Sequence, residues 1–223
     1  MGLRLLIFGP PGSGKGTRAR LISRLLKIPV ITTGDMLRGE VSRETEVGLR
    51  AKAYMERGEL VPDELVIELV EERLRREDCS EGFILDGFPR TLRQADALDR
   101  ILGERGVTLD LVLNIVVDPE VVVERLSLRR WCPRCGAIYN LKYDPPRVDE
   151  ICDECGAQLI QRSDDREEVV RRRLRVYEEQ TRPILERYME RSLVREMRGD
   201  IPIEEIPREV EEVLGPYLGN HLD

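Results

Sequence analysis

Two groups of residues carry chemistry by their type and spacing. The first is Gly9-Pro10-Pro11-Gly12-Ser13-Gly14-Lys15-Gly16-Thr17, which crowds glycines around one lysine. Gly12, Gly14 and Gly16 lack a Cβ, so the backbone can curl tightly and aim its N–H groups at an anion. Lys15 supplies a mobile positive charge for terminal phosphates. The run departs from G-x-x-x-x-G-K-[ST] at one place: Gly16 stands where a magnesium-ligating hydroxyl is usual, and Thr17 comes one position late. The second group is Cys132-x-x-Cys135 and Cys152-x-x-Cys155, with sixteen residues between the pairs. That spacing suits a tetrahedral zinc site, and four protein ligands leave no position open for a reaction, so the metal reads as structural. Gly136 and Gly156 follow the second cysteine of each pair, where metal knuckles turn. Reduced, unliganded thiols are the bland alternative. The loop by itself says nucleotide phosphates and names no reaction.

The flanking elements position these groups. Leu3–Phe8 reads as a strand and Arg18–Lys27 as an amphipathic helix, so the glycine loop joins a strand to a helix N-terminus whose dipole favours an anion. Further strands are expected at Ile28–Ile31, Phe83–Asp86, Leu109–Val117 and Leu193–Met197. The Leu109–Val117 run scarcely alternates, which is the pattern of a strand covered on both faces in a parallel sheet. Helices are expected from Thr32 to about Ser42 with Thr33 as its cap, from Thr45 to Arg57 with Gly58 ending it, and from Pro62 to about Arg76. Others run from Leu92 to Glu104, from Asp118 to about Arg130, from Asp164 onward until Pro183 interrupts, and from Pro202 to Leu218. This alternation predicts a doubly wound α/β fold, a parallel sheet flanked by helices. Such sheets bind ligands beyond the carboxyl ends of their strands, which puts Gly9–Thr17, Thr32–Asp35 and Asp86–Arg90 on one rim. Two stretches interrupt the pattern. Residues 32–62 hold two short helices, and the segment around the cysteines is poor in aliphatic runs. Neither can build a large core of its own.

Composition narrows the classes. With 223 residues the chain suits one large domain carrying inserts. The net charge of −7 argues against nucleic acid as a partner, as does the lack of aromatics interleaved with the basic residues. Aromatics are only 4%, so the core must be Leu, Ile and Val. No apolar run reaches the length of a membrane span, and Met1-Gly2-Leu3-Arg4 enters the first strand without a leader pattern. The expectation is a cytoplasmic, monomeric protein without membrane contact. In that setting paired cysteines point to metal, not disulfides. Cys79 stands apart from them, and the single histidine, His221, lies in the polar tail with no expected role.

These residues together resemble the adenylate kinases of the long type, with a zinc-bearing lid. Gly9–Thr17, including Gly16, resembles their phosphate loop, and Asp86-Gly87-Phe88-Pro89-Arg90 resembles their more specific signature segment. Thr33-Gly34-Asp35-Met36-Leu37-Arg38 resembles the start of the AMP-binding insert, and Arg162-Ser163-Asp164-Asp165 the exit from the lid. The resemblance runs nearly end to end. It implies the reaction MgATP + AMP ⇌ 2 ADP. It also implies a core of residues 1–31, 63–124 and 164–223, an AMP-binding insert of residues 32–62 and a zinc-binding lid of residues 125–163.

Roles follow from the resemblance. Lys15, Arg90, Arg125, Arg129, Arg162 and Arg173 would hold or neutralise the transferring phosphates, Arg125 and Arg129 from one helix face. Gly12, Ser13, Gly14, Lys15, Gly16, Thr17, Arg129 and Tyr139 would line the ATP side. Thr33, Arg38, Leu60, Val61, Gly87, Arg90, Gln94, Arg162 and Arg173 would line the AMP side, with the Gln94 amide offering adenine one donor and one acceptor. Asp86 would hold Mg²⁺ through water, and Cys132, Cys135, Cys152 and Cys155 would bind Zn²⁺. Asp164 and Asp165 could cap the helix they precede, serve near the lid hinge, or both. Asn140 departs from family members that carry His after the tyrosine. Two alternatives stay open: a kinase of another nucleoside monophosphate or with GTP as donor, and a zinc-ribbon binding module with a nucleotide switch.

Overall fold

The computed structural model describes residues 2–218. Five strands form one parallel sheet: β1 Arg4–Phe8, β2 Val30–Thr32, β3 Phe83–Asp86, β4 Leu111–Val116 and, near the end of the chain, β7 Val194–Arg198. Their order is β2-β3-β1-β4-β7, with β1 at the centre between β3 and β4. Because side chains alternate along a strand, β1 feeds two cores. Leu6 and Phe8 join one with Leu85, Leu98 and Val112, while Leu5 and Ile7 join the other with Ile22, Ile84 and Leu113. Both faces are thus covered, as the scarcely alternating, mostly apolar run at residues 109–117 predicts.

Helix α1 (Lys15–Leu26) leaves the glycine loop. Helices α2 (Thr33–Ser42) and α3 (Glu46–Arg57) follow β2, and α4 (Asp63–Leu74) leads back toward β3. Thr45 caps α3 by accepting from Gly48 N at 3.1 Å, and Gly58 ends it at φ 70°, the left-handed conformation that suits glycine. Helix α5 (Leu92–Glu104) joins β3 to β4, and α6 (Pro119–Ser127) follows β4 with Asp118 as its cap. The cysteine segment forms a separate ribbon, β5 (Arg129–Trp131) antiparallel to β6 (Ile138–Asn140). Helices α7 (Glu167–Val176), α8 (Ile184–Glu190) and α9 (Ile206–Leu218) complete the chain.

Several local expectations are corrected. Helix α6 stops at Ser127, and Arg129 lies on β5, so Arg125 and Arg129 do not share a helix face. The backbone of Arg129–Trp131 pairs with Ile138–Asn140, and this strand pairing overrides a charged run that would also suit a helix. Thr33 is not a cap: it is the first residue of α2, and its hydroxyl donates to Gly87 O at 2.8 Å. Asp164 and Asp165 do not cap α7, which starts two residues later with Arg166 at its cap position. The interruption ahead of Pro183 is a π turn at Tyr177–Thr181. Gly16 needs no left-handed backbone, and a Cβ there would meet nothing within 4 Å, so its place in the first turn of α1 leaves open space and does not tighten the loop. His221 lies outside the described residues. No described helix is long and apolar enough to cross a membrane.

Candidate nucleotide and metal sites

Beyond the carboxyl ends of β1, β2 and β3 lies a cavity of about 1120 Å³. Single small-molecule pockets usually fall within about 300–1,000 Å³, so this one has room for more than one ligand. Of the residues predicted to bind nucleotide, Gly12, Gly14, Lys15, Gly16, Thr17, Thr33, Arg38, Leu60, Val61, Asp86, Gly87, Arg90, Gln94, Arg125, Arg129, Tyr139, Arg162 and Arg173 all line it. Ser13 is the exception. Its N–H bonds Pro10 O at 3.2 Å, and its hydroxyl is buried without a partner among the described residues.

The glycine loop is built as its sequence requires. Gly14, at φ 94°, is the N-cap of α1, and Gly12, at φ 76°, packs so closely on α6 that a Cβ would lie 2.8 Å from Leu126 Cγ. Lys15 folds back over the loop, donating to Gly9 O at 2.8 Å and Pro10 O at 2.7 Å. Burial lowers its pKa to about 8, with Asp86 opposing and Arg90, Arg173 and Arg129 adding to the fall. Burial and then Arg173 lower Arg90 to about 10, and burial and then Arg38 and Arg129 lower Arg162 to about 10. Each cation here is destabilised by leaving water and by its like-charged neighbours. A polyanion in the cavity relieves both costs.

Carboxylates hold the cations apart and in place. Asp165, fully buried, takes Arg129 through two bonds of 2.7 and 2.5 Å and lies 3.7 Å from Arg173. Asp164 pairs with Arg173 at 2.9 Å; burial would raise its pKa, but Arg173, Arg38, Arg129 and Arg162 outweigh that and hold it low. Arg162 lies over the Trp131 ring at 5.1 Å, its buried Nε has no partner, and Asp35 is 4.0 Å from its guanidinium. Asp35 also holds Arg38 at 2.5 Å. Arg125 instead donates to Gly199 O at 2.5 Å and lies over the Tyr143 ring. The Asp164-Asp165 pair was visible in the sequence. Its service to two arginines was not, because Asp165 and Arg129 are thirty-six positions apart.

The AMP-side residues form a connected wall. Arg90 Nε donates to Gly87 O at 2.9 Å, beside the Thr33 bond to the same carbonyl. Asp86 is raised by burial against the pull of Lys15 and Arg90. As an acceptor-only carboxylate lining the cavity with Lys15 and Thr17, it suits a hard cation held through water. The end of α3 rests on α7: a Cβ on Gly58 would lie 3.0 Å from Arg173 Cγ, and Glu59 pairs with Arg172. The Gly199–Ile206 stretch also lines the cavity, a contribution absent from the sequence reading. Arg18 holds that stretch in register. It is fully buried, bonds Glu209 at 2.8 Å and the Arg198 carbonyl, and so ties α1 to β7 and α9.

In the β5–β6 ribbon the four predicted cysteines meet, with all their Sγ atoms within 4.8 Å of one another. Cys132–Cys155 and Cys135–Cys152 are each 3.5 Å apart, far from a disulfide bond and close to the edge of about 3.8 Å that a tetrahedron with Zn–S of about 2.3 Å requires. The two knuckles match. Gly136 N bonds Cys132 O at 2.9 Å and Gly156 N bonds Cys152 O at 2.8 Å. The cluster could hold zinc. Tyr139, expected on the ATP side, lines the cavity, but its hydroxyl is committed to this cluster, accepting from Asp153 N at 2.8 Å and lying 3.6 Å from Cys152 Sγ.

A family model described as Adenylate kinase matches residues 7–193. The chain is 51% identical to an adenylate kinase of Archaeoglobus fulgidus over 212 residues, which are 95% of this chain and 98% of the relative. It is 49% identical to one of Thermoanaerobacter sp., covering 96% of this chain and 98% of that one. It is also 51% identical to one of Carboxydothermus hydrogenoformans, covering 95% and 99%. Geometry and likeness agree along the same residues: the chain belongs to the adenylate kinase family.

Proposed function

We propose that the protein catalyses reversible phosphoryl transfer from MgATP to AMP, giving two ADP. The observation that carries this reading is the convergence of Lys15, Arg38, Arg90, Arg129, Arg162 and Arg173 on one cavity larger than a single nucleotide needs. The glycine loop with Lys15 receives the ATP phosphates, together with Gly12, Gly14, Gly16, Thr17 and Arg129. Arg38 and Arg90 hold the AMP phosphate, and Thr33, Leu60, Val61, Gly87 and Gln94 surround the rest of AMP. Arg125, Arg162 and Arg173 stand where the moving phosphoryl group passes.

No general base is required. A phosphate oxygen of AMP, already ionised at neutral pH, attacks the terminal phosphorus of ATP, and the bond from that phosphorus to the bridging oxygen breaks. The side chains hold the reactants in line and neutralise the charge that spreads over the transferring group. Asp86 would hold the magnesium of MgATP through water, and the ion would shield the same charge. Cys132, Cys135, Cys152 and Cys155 would hold a structural zinc that stiffens a lid, residues 125–163, which closes over ATP, while residues 32–62 close over AMP. The core is then residues 1–31, 63–124 and 164–223. Closure keeps water from the terminal phosphate.

The test is an acceptor panel. AMP, GMP, CMP and UMP are each offered with MgATP, and diphosphate formation is followed. AMP is expected to turn over fastest. An inert AMP beside an active second monophosphate sinks the specificity. No turnover with any acceptor sinks the enzyme reading.

A further inference from the structure

Gln94 is buried, and both ends of its amide are taken. Arg90 N donates to Oε1 at 2.8 Å, and Nε2 donates to Asp63 Oδ1 at 2.8 Å. Asp63 is itself held: it opens α4 directly after the Leu60-Val61-Pro62 link, and Thr91 Oγ1 donates to its other oxygen at 3.0 Å. The same Thr91 oxygen accepts from Gln94 N at 3.1 Å as the cap of α5, closing the ring of contacts. A backbone N–H can only donate and an ionised carboxylate can only accept. Neither partner can exchange roles. Turning the amide over would set Oε1 against the Asp63 carboxylate and Nε2 against the Arg90 N–H, replacing two hydrogen bonds by two repulsive contacts.

We propose that Asp63 is a specificity-determining positioning residue: together with the Arg90 N–H it locks the Gln94 amide in one orientation and so sets which purine edge the acceptor pocket takes. This rests on the reading that Gln94 faces the base of the monophosphate. A glutamine amide has two N–H groups and two acceptor sites, and the protein uses one of each, leaving one of each for the base. A 6-aminopurine brings an acceptor at ring N1 and a donor at its amino group, which matches the locked amide. A 6-oxopurine in the same pose brings the reverse, a donor at N1 and an acceptor at O6, and meets like against like. A free amide would flip to suit either base. The lock makes the pocket choose.

The substitution Asp63→Asn keeps the shape but lets residue 63 donate as well as accept. The measurement is kcat/KM for AMP against inosine monophosphate, which differs at the 6-position and shares the sugar and phosphate. The AMP preference is expected to fall by about 10- to 100-fold, the scale of one hydrogen bond to a charged group, with KM for MgATP unchanged. A parallel loss for both acceptors, or an unchanged ratio, overturns the proposal. A second readout needs no turnover: in the ligand-free protein the Gln94 side-chain amide resonances should shift in Asp63→Asn, and unshifted resonances overturn the lock. If the unsubstituted protein phosphorylates neither acceptor, the acceptor reading fails, while the resonances still judge the lock.

Discussion

The two stretches that interrupt the α/β pattern solve one problem by different means. Helices α2 and α3 place Leu37 and Ala51 directly in a large core, with Met36, Val47, Tyr54 and Met55 packed against it, alongside Leu65, Leu85 and Leu98. The cysteine ribbon shares none of that core. Its own cluster is Cys132, Tyr139, Cys152 and Leu159, too small to offset the ordering of its loops. Four thiols brought within 4.8 Å suit a metal that supplies what packing does not. One stretch borrows the core, and the other is built around a site for an ion. Between them lies the cation cluster, held by Asp35, Asp164 and Asp165.

Metal removal separates the two stretches most sharply. We expect about one zinc per chain, absent in Cys152→Ser, and phosphoryl transfer at least about 100-fold slower without it, since an open lid neither excludes water nor presents Arg129 and Arg162. The single tryptophan, Trp131, sits on β5 under the Arg162 guanidinium, so its emission reports the ribbon and that contact. It should shift on chelation while the helical circular dichroism holds. Unchanged emission and zinc content in Cys152→Ser would refute the four-cysteine site.

Side-chain truncation breaks the comparison at lower amplitude. Leu37→Ala opens a cavity in the shared core and should cost about 2–5 kcal/mol of global stability, lowering Tm. Leu159→Ala lies in the ribbon's own cluster. It should create an earlier transition seen by Trp131 and leave the main transition in place. A single common transition for both variants would show that the ribbon folds with the core.

The smallest effect lies between the stretches and is read by pH. Lys15 has a pKa of about 8 when the cavity holds no ligand, against 10.5 for an ordinary lysine. Its charge is therefore lost as pH rises through about 8, and kcat/KM should decline there, by about tenfold per pH unit at most. Bound phosphates favour the charged form, so the decline in kcat should lie higher. The stability effect has the opposite sense. Between about 8 and 10.5 the unfolded chain binds more protons than the folded one, so ligand-free stability gains from rising pH as the buried charge is relieved. Coincident limbs for kcat and kcat/KM would detach Lys15 from the phosphates.

Much of this was legible in advance because it is local. A strand followed by a glycine turn and a helix, and two Cys-x-x-Cys pairs, are patterns within a few residues, and each forms as read. The misreadings share a cause. Arg129 belongs to a strand because residues 138–140 pair with it, and Thr33 gives up capping because the Gly87 carbonyl arrives from β3.

The sequence by itself determined the α/β class, the glycine loop, the paired cysteines whose spacing suits a metal and the family, since these rest on residue type and short spacing. Only the tertiary structure decided which carboxylate holds which arginine, that Arg18 anchors the far wall through Glu209, and that Asp63 orients Gln94. Hydrogen bonds and ion pairs act over about 3 Å, and the partners that matter here lie tens to nearly two hundred positions apart in the chain, as Arg18 and Glu209 do, so folding alone brings them within reach.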